Sequence, residues 1–305
     1  MRVQLRRILC TTDFSDFSNH AVPYAIALAR EFKAELYLCH VIDLSSAAIY
    51  GEAVLALDEQ QNRMTAFAHG EIKKLVEKEP LEWQALVTVG NPALEISRLA
   101  EEKGVDLAIA ASHGRSGLKR LILGSVTERL MRTLPCPLLV VRSPEYGFVE
   151  SEDRDIRIKQ IMVGHDFSSD SDLALKYGLS LAQEFQAALH LIHVVEPPSY
   201  EDLVKPASMA RDKFQQDVRR KLKERLMNMI PEEALPWCTP IATLLAGEPH
   251  DELTKYALVN SIDLIILGVR GHSLVESLLV GSTTDRVIRA APCPVLSVQP
   301  AAKGI

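Results

Sequence analysis

The two halves of the sequence repeat one another, and this repeat limits the possible folds more than any other feature. Four segments of the first half return in the same order in the second half. They are ILCTTDFSDFS (8–18) and IMVGHDFSSDS (161–171), AELYLCHVID (34–43) and AALHLIHVVE (187–196), VGNPALEISRLA (89–100) and AGEPHDELTKYA (246–257), and LPCPLLVV (134–141) and APCPVLSV (291–298). A repeat of this length predicts two copies of one domain.

The boundary between the copies follows from composition. The chain has 305 residues, which is enough for two ordinary domains. The segment SPEYGFVESEDRDIR (143–157) is charged, contains Pro and Gly and lacks apolar periodicity, as is typical of a surface linker. We therefore predict a first domain over residues 1–145, a linker over 146–157 and a second domain over 158–305.

Each copy alternates short apolar runs with helical patterns. Runs such as RILCTT, LYLCHVI and DLAIAA are the continuous kind expected of strands that are covered on both faces. Pro92 and Pro249 stand where a helix would begin, a position that needs no amide hydrogen. Five strands per copy predict the α/β class, with two tandem doubly wound domains, each built on a five-stranded parallel sheet. Ligands of such sheets bind beyond the carboxyl ends of the strands.

Composition excludes several classes of protein. A net charge of -6, without a long block of one sign, gives no basic surface for nucleic acid. No apolar run approaches the roughly 20 residues of a membrane-spanning helix. The 5 cysteines form no CxxC pair, and their odd number fits reduced thiols better than a disulfide framework. We predict a cytoplasmic protein with neither nucleic-acid nor membrane partners.

The loop after the fourth strand carries the most informative residues. In the second copy, Gly268 and Gly271 are followed by Gly281 and Ser282 at the start of a predicted helix. Glycine allows a ligand to approach the backbone, and a helix N-terminus offers unpaired amides to a phosphate chain. Ser282, Thr283 and Thr284 add hydroxyl groups. This arrangement predicts a phosphate-binding loop.

The spacing Gly268-x2-Gly271-x9-Gly281-Ser282 resembles the ATP-binding motif of the universal stress protein family in full. The resemblance spans nearly the whole chain, and the doubling is similar to that of the family's tandem members. It implies a Rossmann-like fold similar to that of adenine nucleotide α-hydrolases, with ATP as the ligand, with or without magnesium. The first copy keeps Gly114, Gly124 and Ser125 but has Ala111 in place of the first glycine, a methyl group expected to crowd a ligand. Arg115 is expected to compensate by pairing with phosphate.

The resemblance also implies where adenosine would lie. The family places the aspartate after the first strand, here Asp13 and Asp166, against the adenosine end of ATP. A carboxylate would repel phosphate but can accept hydrogen bonds from ribose hydroxyls or from the adenine amino group. Val41 and Val194 match positions at which the family holds adenine.

Other interpretations of these residues stay open at this point. Asp13 and Asp166 could cap the following helix, and Ser125 and Ser282 could be simple helix caps. Histidines near the same edge could be imagined as a metal site, but the two copies do not share their pattern. We predict no metal or catalytic residues.

The predicted function is that of an ATP-binding stress-response regulator or nucleotide-dependent switch. The alternatives are a slow ATPase and a nucleotide-free dimerisation or interaction scaffold. The loops TTDFSDFS and GHDFSSDS lack the Gly-rich pyrophosphate loop of adenylating enzymes, and no Ser-His-Asp set is present at a defensible spacing. In single-domain relatives the last strands pair between subunits. LLVV (138–141) and VLSV (295–298) are therefore expected to form an internal pseudo-dimer, which leaves room for a homodimer surface and an unidentified regulatory protein partner.

Overall fold

A computed structural model describes residues 3–43, 57–113, 123–142, 147–149, 155–196, 209–270 and 281–300. The first half alternates strands and helices as its sequence pattern predicts. Its elements are β1 (Arg7–Thr11), α1 (Asp16–Asn19), α2 (Ala21–Phe32), β2 (Glu35–Ile42), α3 (Leu57–Val76), β3 (Trp83–Val89), α4 (Pro92–Glu102), β4 (Leu107–Ala111), α5 (Ser125–Thr133) and β5 (Leu138–Val141).

The second half repeats this order, except that one long helix replaces α1 and α2. Its elements are β6 (Gln160–Gly164), α6 (Ser169–Phe185), β7 (Ala188–Val195), α7 (Met209–Asn228), a 3-10 turn (Glu232–Ala234), β8 (Pro240–Ala246), α8 (Pro249–Val259), β9 (Leu264–Gly268), α9 (Ser282–Ala290) and β10 (Val295–Val298). The start of α4 at Pro92 and of α8 at Pro249 confirms the prediction made from the proline positions.

The ten strands form one sheet in the order β3-β2-β1-β4-β5-β10-β9-β6-β7-β8. Within each half all pairs are parallel, and the chain reverses direction across the sheet between the first and fourth strands. The α/β class and the two doubly wound five-stranded units are therefore confirmed. The crevice at each reversal is the place where such a sheet accepts a ligand.

The halves are joined through their last strands. Strand β5 pairs with β10 in antiparallel register, with Leu139 opposite Leu296. The Ser297 hydroxyl also donates a hydrogen bond to the Leu138 carbonyl at 3.1 Å. This confirms the expected pseudo-dimer within one chain. Because the strands of the two halves run in opposite directions, the carboxyl ends of the two sets of strands lie at opposite edges of the sheet.

Both faces of the sheet are covered, which explains the continuous apolar strands. In β1, Ile8 and Cys10 belong to the core under α2, while Leu9 belongs to the core on the opposite face. The same alternation continues through the second half, so each of the two cores spans both repeats. All five cysteines are free and buried, and burial raises the pKa of the Cys39 thiol to about 12, as expected of core thiols that stay protonated.

The segment between the halves is partly packed against the first domain. Phe148 is buried and meets the Tyr24 ring edge-on at 4.9 Å between centroids. Val149 and Ile156 form an antiparallel bridge. These contacts hold the connection close to α2.

Candidate functional site

One cavity lies at the carboxyl edge of each half, at the reversal between its first and fourth strands. The cavity of the first half has a volume of about 630 Å³, and that of the second about 420 Å³. Both volumes fall within the range of small-molecule sites. Each cavity brings together predicted residues from three places in the sequence, listed here by half: Asp13, Val41, Gly124 and Ser125; Asp166, Val194, Gly268, Gly281, Ser282 and Thr283. Gly114, Arg115 and Gly271 lie outside the described residues.

The two aspartates form the same turn at the entrance of the first helix of each half. Asp13 Oδ1 accepts hydrogen bonds from the backbone amide of Ser15 at 3.0 Å and from its hydroxyl at 2.6 Å. Asp166 makes the matching pair of bonds with Ser168. The helices are capped by the serines, whose side chains accept from backbone amides three residues later. The aspartates therefore hold the capping serines and do not cap the helices themselves.

The residue after each aspartate adopts a left-handed backbone conformation. Phe14 and Phe167 both have φ of 64°, a conformation that costs a residue with a bulky side chain on the order of 1 kcal/mol or more. The amide of Phe14 donates to the Thr12 hydroxyl at 2.9 Å, and that of Phe167 donates to His165 Nδ1 at 3.0 Å. Thr12 and His165 thus each accept the hydrogen bond from the backbone amide of the phenylalanine two residues later.

A second histidine supports each turn from the neighbouring strand. His40 and His193 donate from Nδ1 to the carbonyls of Thr12 and His165, at 2.9 and 2.7 Å, because a carbonyl can only accept. The Phe14 ring stacks on His40 with centroids 4.2 Å apart. These histidines act through hydrogen bonding and stacking. Among the described residues, no group of three or more His, Cys, Asp or Glu side chains is placed to hold a metal ion.

His165 predicts a pH effect on stability, because it titrates whereas Thr12, at the equivalent position of the first half, does not. Burial lowers the pKa of His165, although nearby Asp172 and Asp166 act in the opposite direction. Below about pH 6.5, the ordinary pKa of histidine, the folded state therefore binds fewer protons than the unfolded state. The free energy of unfolding consequently decreases as the pH falls through this range. Replacing His165→Thr should reduce this slope, by at most about 1.4 kcal/mol per pH unit.

Urea unfolding at several pH values between 5 and 7.5 measures this slope for both proteins. His190, whose pKa burial also lowers, stays in place and should leave a residual slope in the variant. Identical slopes in the two proteins would show that His165 does not contribute. Above pH 7 the two slopes should agree, because the histidine is neutral in both states.

The other end of each cavity is formed by a helix N-terminus. Helices α5 and α9 begin after Gly124 and Gly281, and no described side chain caps either helix. Helices α1, α4 and α6 are capped by Ser15, Asn91 and Ser168, whereas α2 and α8 also lack a side-chain cap. The first amides of α5 and α9 therefore face the cavities without a side-chain acceptor, an arrangement suited to an anion.

Threonines fix these helix starts to the sheet. The Thr127 hydroxyl donates to the Ala111 carbonyl at 2.8 Å, and that of Thr284 to the Gly268 carbonyl at 2.7 Å. Thr284 was expected to supply a hydroxyl to the ligand. Its hydrogen is used within the protein instead, while Ser125 and Ser282 are exposed at the rim.

The structure gives a reason for Gly268 that differs from the expected one. A Cβ atom built on Gly268 would lie 2.8 Å from the carbonyl carbon and from Cβ of Asp170 in α6. Glycine is thus needed for helix packing, whereas its sequence position indicated close approach of a ligand. Ala111, at the matching position, belongs with Ile109 to the core under α2, so its methyl group is directed toward α1 and α2. Ala111 also lines the first cavity, so the crowding of a ligand by its methyl group stays a prediction.

Two features of the cavities were missed by the sequence reasoning. Met64 and Phe67 of α3 line the first cavity, and Phe67 meets Phe14 edge-on at 6.3 Å. In the second cavity, Arg270 forms an ion pair with buried Asp170. For the turn at Asp13 and Asp166, the repeated Asp-Phe-Ser triplet was the feature of the sequence that could have indicated it. This ion pair has no counterpart in the first half, where Phe17 and His113 occupy the matching positions.

Comparison with known proteins identifies similar sequences over both halves. A model of the universal stress protein family matches residues 4–142 and 157–299. Universal stress protein MJ0531 of Methanocaldococcus jannaschii is 35% identical over 145 residues, which cover 46% of this chain and 84% of the relative. Universal stress protein Slr1230 of Synechocystis sp. is 24% identical over 316 residues, with coverage of 96% and 99%.

A solved structure agrees with the fold. The crystal structure of a universal stress protein from Archaeoglobus fulgidus matches with a TM-score of 0.70 at 21% identity, and the match covers 97% of this chain and 99% of the other. The family resemblance is confirmed by the family model, which matches both halves. No described helix is long and apolar enough to cross a membrane.

Proposed function

Because the chain belongs to the universal stress protein family, with one copy of the family domain in each half, we propose that it binds ATP and acts as a nucleotide-dependent regulator in the cytoplasm. Family membership supports a role in the stress response. Our proposal goes further: ATP is the ligand, and its binding acts as the switch.

One observation carries the proposal. In each half, a single cavity is bounded at one end by an acidic turn and at the other by an uncapped helix N-terminus. These ends suit the two chemically different ends of ATP. The carboxylate accepts from ribose or adenine donors, and the helix amides donate to phosphate oxygens.

In the second half, adenosine is assigned to Asp166 and Val194, and the phosphates to Gly281, Ser282 and Thr283. In the first half the corresponding residues are Asp13, Val41, Gly124 and Ser125. Because the first cavity has the same acidic turn and the same uncapped helix N-terminus, we extend the proposal to both halves. Binding orders the groups around the phosphates, and a partner protein that prefers the ordered surface turns this difference into a signal.

The proposal predicts up to two ATP molecules per chain. Native mass spectrometry of the full chain should show mass additions of one and two ATP as the nucleotide is titrated. Calorimetry with and without EDTA should show whether magnesium strengthens binding. Absence of any ATP adduct at millimolar nucleotide would favour the nucleotide-free scaffold, and rapid release of ADP from the complex would favour an ATPase.

A further inference from the structure

Arg270 connects the second cavity to a buried carboxylate. It follows β9 and lines the cavity beside Ser282 and Thr283. Its backbone amide and its Nε–H both donate to Asp170 Oδ2 at 3.2 Å. Asp170 is only 5% exposed, and its position in the first turn of α6 places it directly behind the end of β9.

This contact fixes the arginine in the cavity wall. A carboxylate buried as deeply as that of Asp170 is strongly destabilising unless it is paired, so the ion pair is expected to persist when a ligand binds. The pairing to Asp170 uses the Nε–H among the five N–H groups of a guanidinium. The planar, permanently charged group is well suited to bind phosphate oxygens.

The charge of Arg270 is important because its surroundings are acidic. Among the described residues that line this cavity, Arg270 is the only lysine or arginine, whereas Asp166 and Glu196 both contribute carboxylates. Among these described residues, a polyanion would therefore meet one arginine and the α9 amides.

The first half distributes its charge differently. Its positions corresponding to Asp170 and Arg270 are occupied by Phe17 and His113, so the anchored ion pair is absent from that half. Among the described residues that line the first cavity, the arginine is Arg63 of α3. The two halves therefore differ in how they can recognise the charge of a nucleotide.

We propose that Arg270, positioned by Asp170, is the residue of the second half that selects nucleoside polyphosphates over uncharged nucleosides. This inference rests on the proposed nucleotide site. It adds a specificity residue at a variable position of the glycine-serine motif and assigns Asp170 a positioning role.

Photolabelling followed by peptide mapping tests this inference in each half separately. The full chain is labelled with 8-azido-ATP or with 8-azidoadenosine over a range of concentrations. Arg270→Gln should raise the half-saturating concentration of 8-azido-ATP in the second half about 10- to 100-fold, the range expected for a lost charge-assisted contact. That of 8-azidoadenosine should change less than about 2-fold, because the lost contact is to phosphate. Arg270→Lys, which keeps the charge, should recover part of the preference.

The controls separate a specificity role from a structural one. His113→Gln, the matched change in the first half, should leave the preference of the second half unaltered. Asp170→Asn should reduce the ATP-over-adenosine preference of the second half, because the guanidinium loses its anchor. Equal weakening of both ligands by Arg270→Gln, or unchanged labelling by 8-azido-ATP, would overturn the inference. If the unsubstituted protein showed no labelling that ATP prevents, the proposed function itself would fail.

Discussion

Replacing Ser125 and Ser282 together with aspartate should lower ATP affinity roughly 100-fold without destabilising the protein. Each serine is the first residue of an uncapped helix that faces a cavity. A unit charge 4 Å from another contributes between about 1 and 4 kcal/mol, depending on exposure, and here the added carboxylate opposes a triphosphate. The same carboxylate interacts favourably with the helix dipole, by about 0.3–1 kcal/mol. Affinity and stability should therefore move in opposite directions.

Calorimetric titration with ATP and thermal unfolding of the nucleotide-free protein measure the two effects. The matched control is the Ser125→Asn/Ser282→Asn double variant, which is similar in size but uncharged and should retain most of the affinity. Adenosine binding should be nearly unchanged in the aspartate variant, because the substitution lies at the phosphate end. Unaltered ATP affinity in the aspartate variant would place the phosphates elsewhere.

The sheet and the edges at which the cavities lie could be predicted because the repeat shows the pattern of each element twice. Continuous apolar runs such as LAIAA (107–111) indicated strands covered on both faces, and the structure buries all five residues. The family resemblance implied that the two last strands pair, and β5 pairs with β10. The apolar runs depend on hydrophobic pattern, which a sequence states directly.

The contacts within the cavities could be predicted less completely from the sequence. The aspartates were correctly expected at the edge of the sheet. Their hydrogen bonds to Ser15 and Ser168 depend on the left-handed backbone conformation of Phe14 and Phe167, which the local sequence did not predict. The ion pair of Asp170 with Arg270 joins residues 100 positions apart. Such contacts are set by packing between elements, and a single sequence records no direct signal of them.

Gly268 has a packing role in addition to the ligand-approach role that its sequence position predicted, and its replacement by alanine should separate the two. The new methyl group would lie 2.8 Å from backbone and side-chain carbons of Asp170, so α6 or β9 must shift. We expect a loss of about 1–3 kcal/mol in the free energy of unfolding, measured by urea in the absence of nucleotide. Gly70→Ala is the matched control, because Gly70 lies in α3 with nothing within 4 Å of the added atom and alanine should there stabilise the helix by about 0.5–1 kcal/mol. If Gly268→Ala left stability unchanged and only weakened ATP binding, the glycine would serve the ligand after all, and the packing explanation would be wrong.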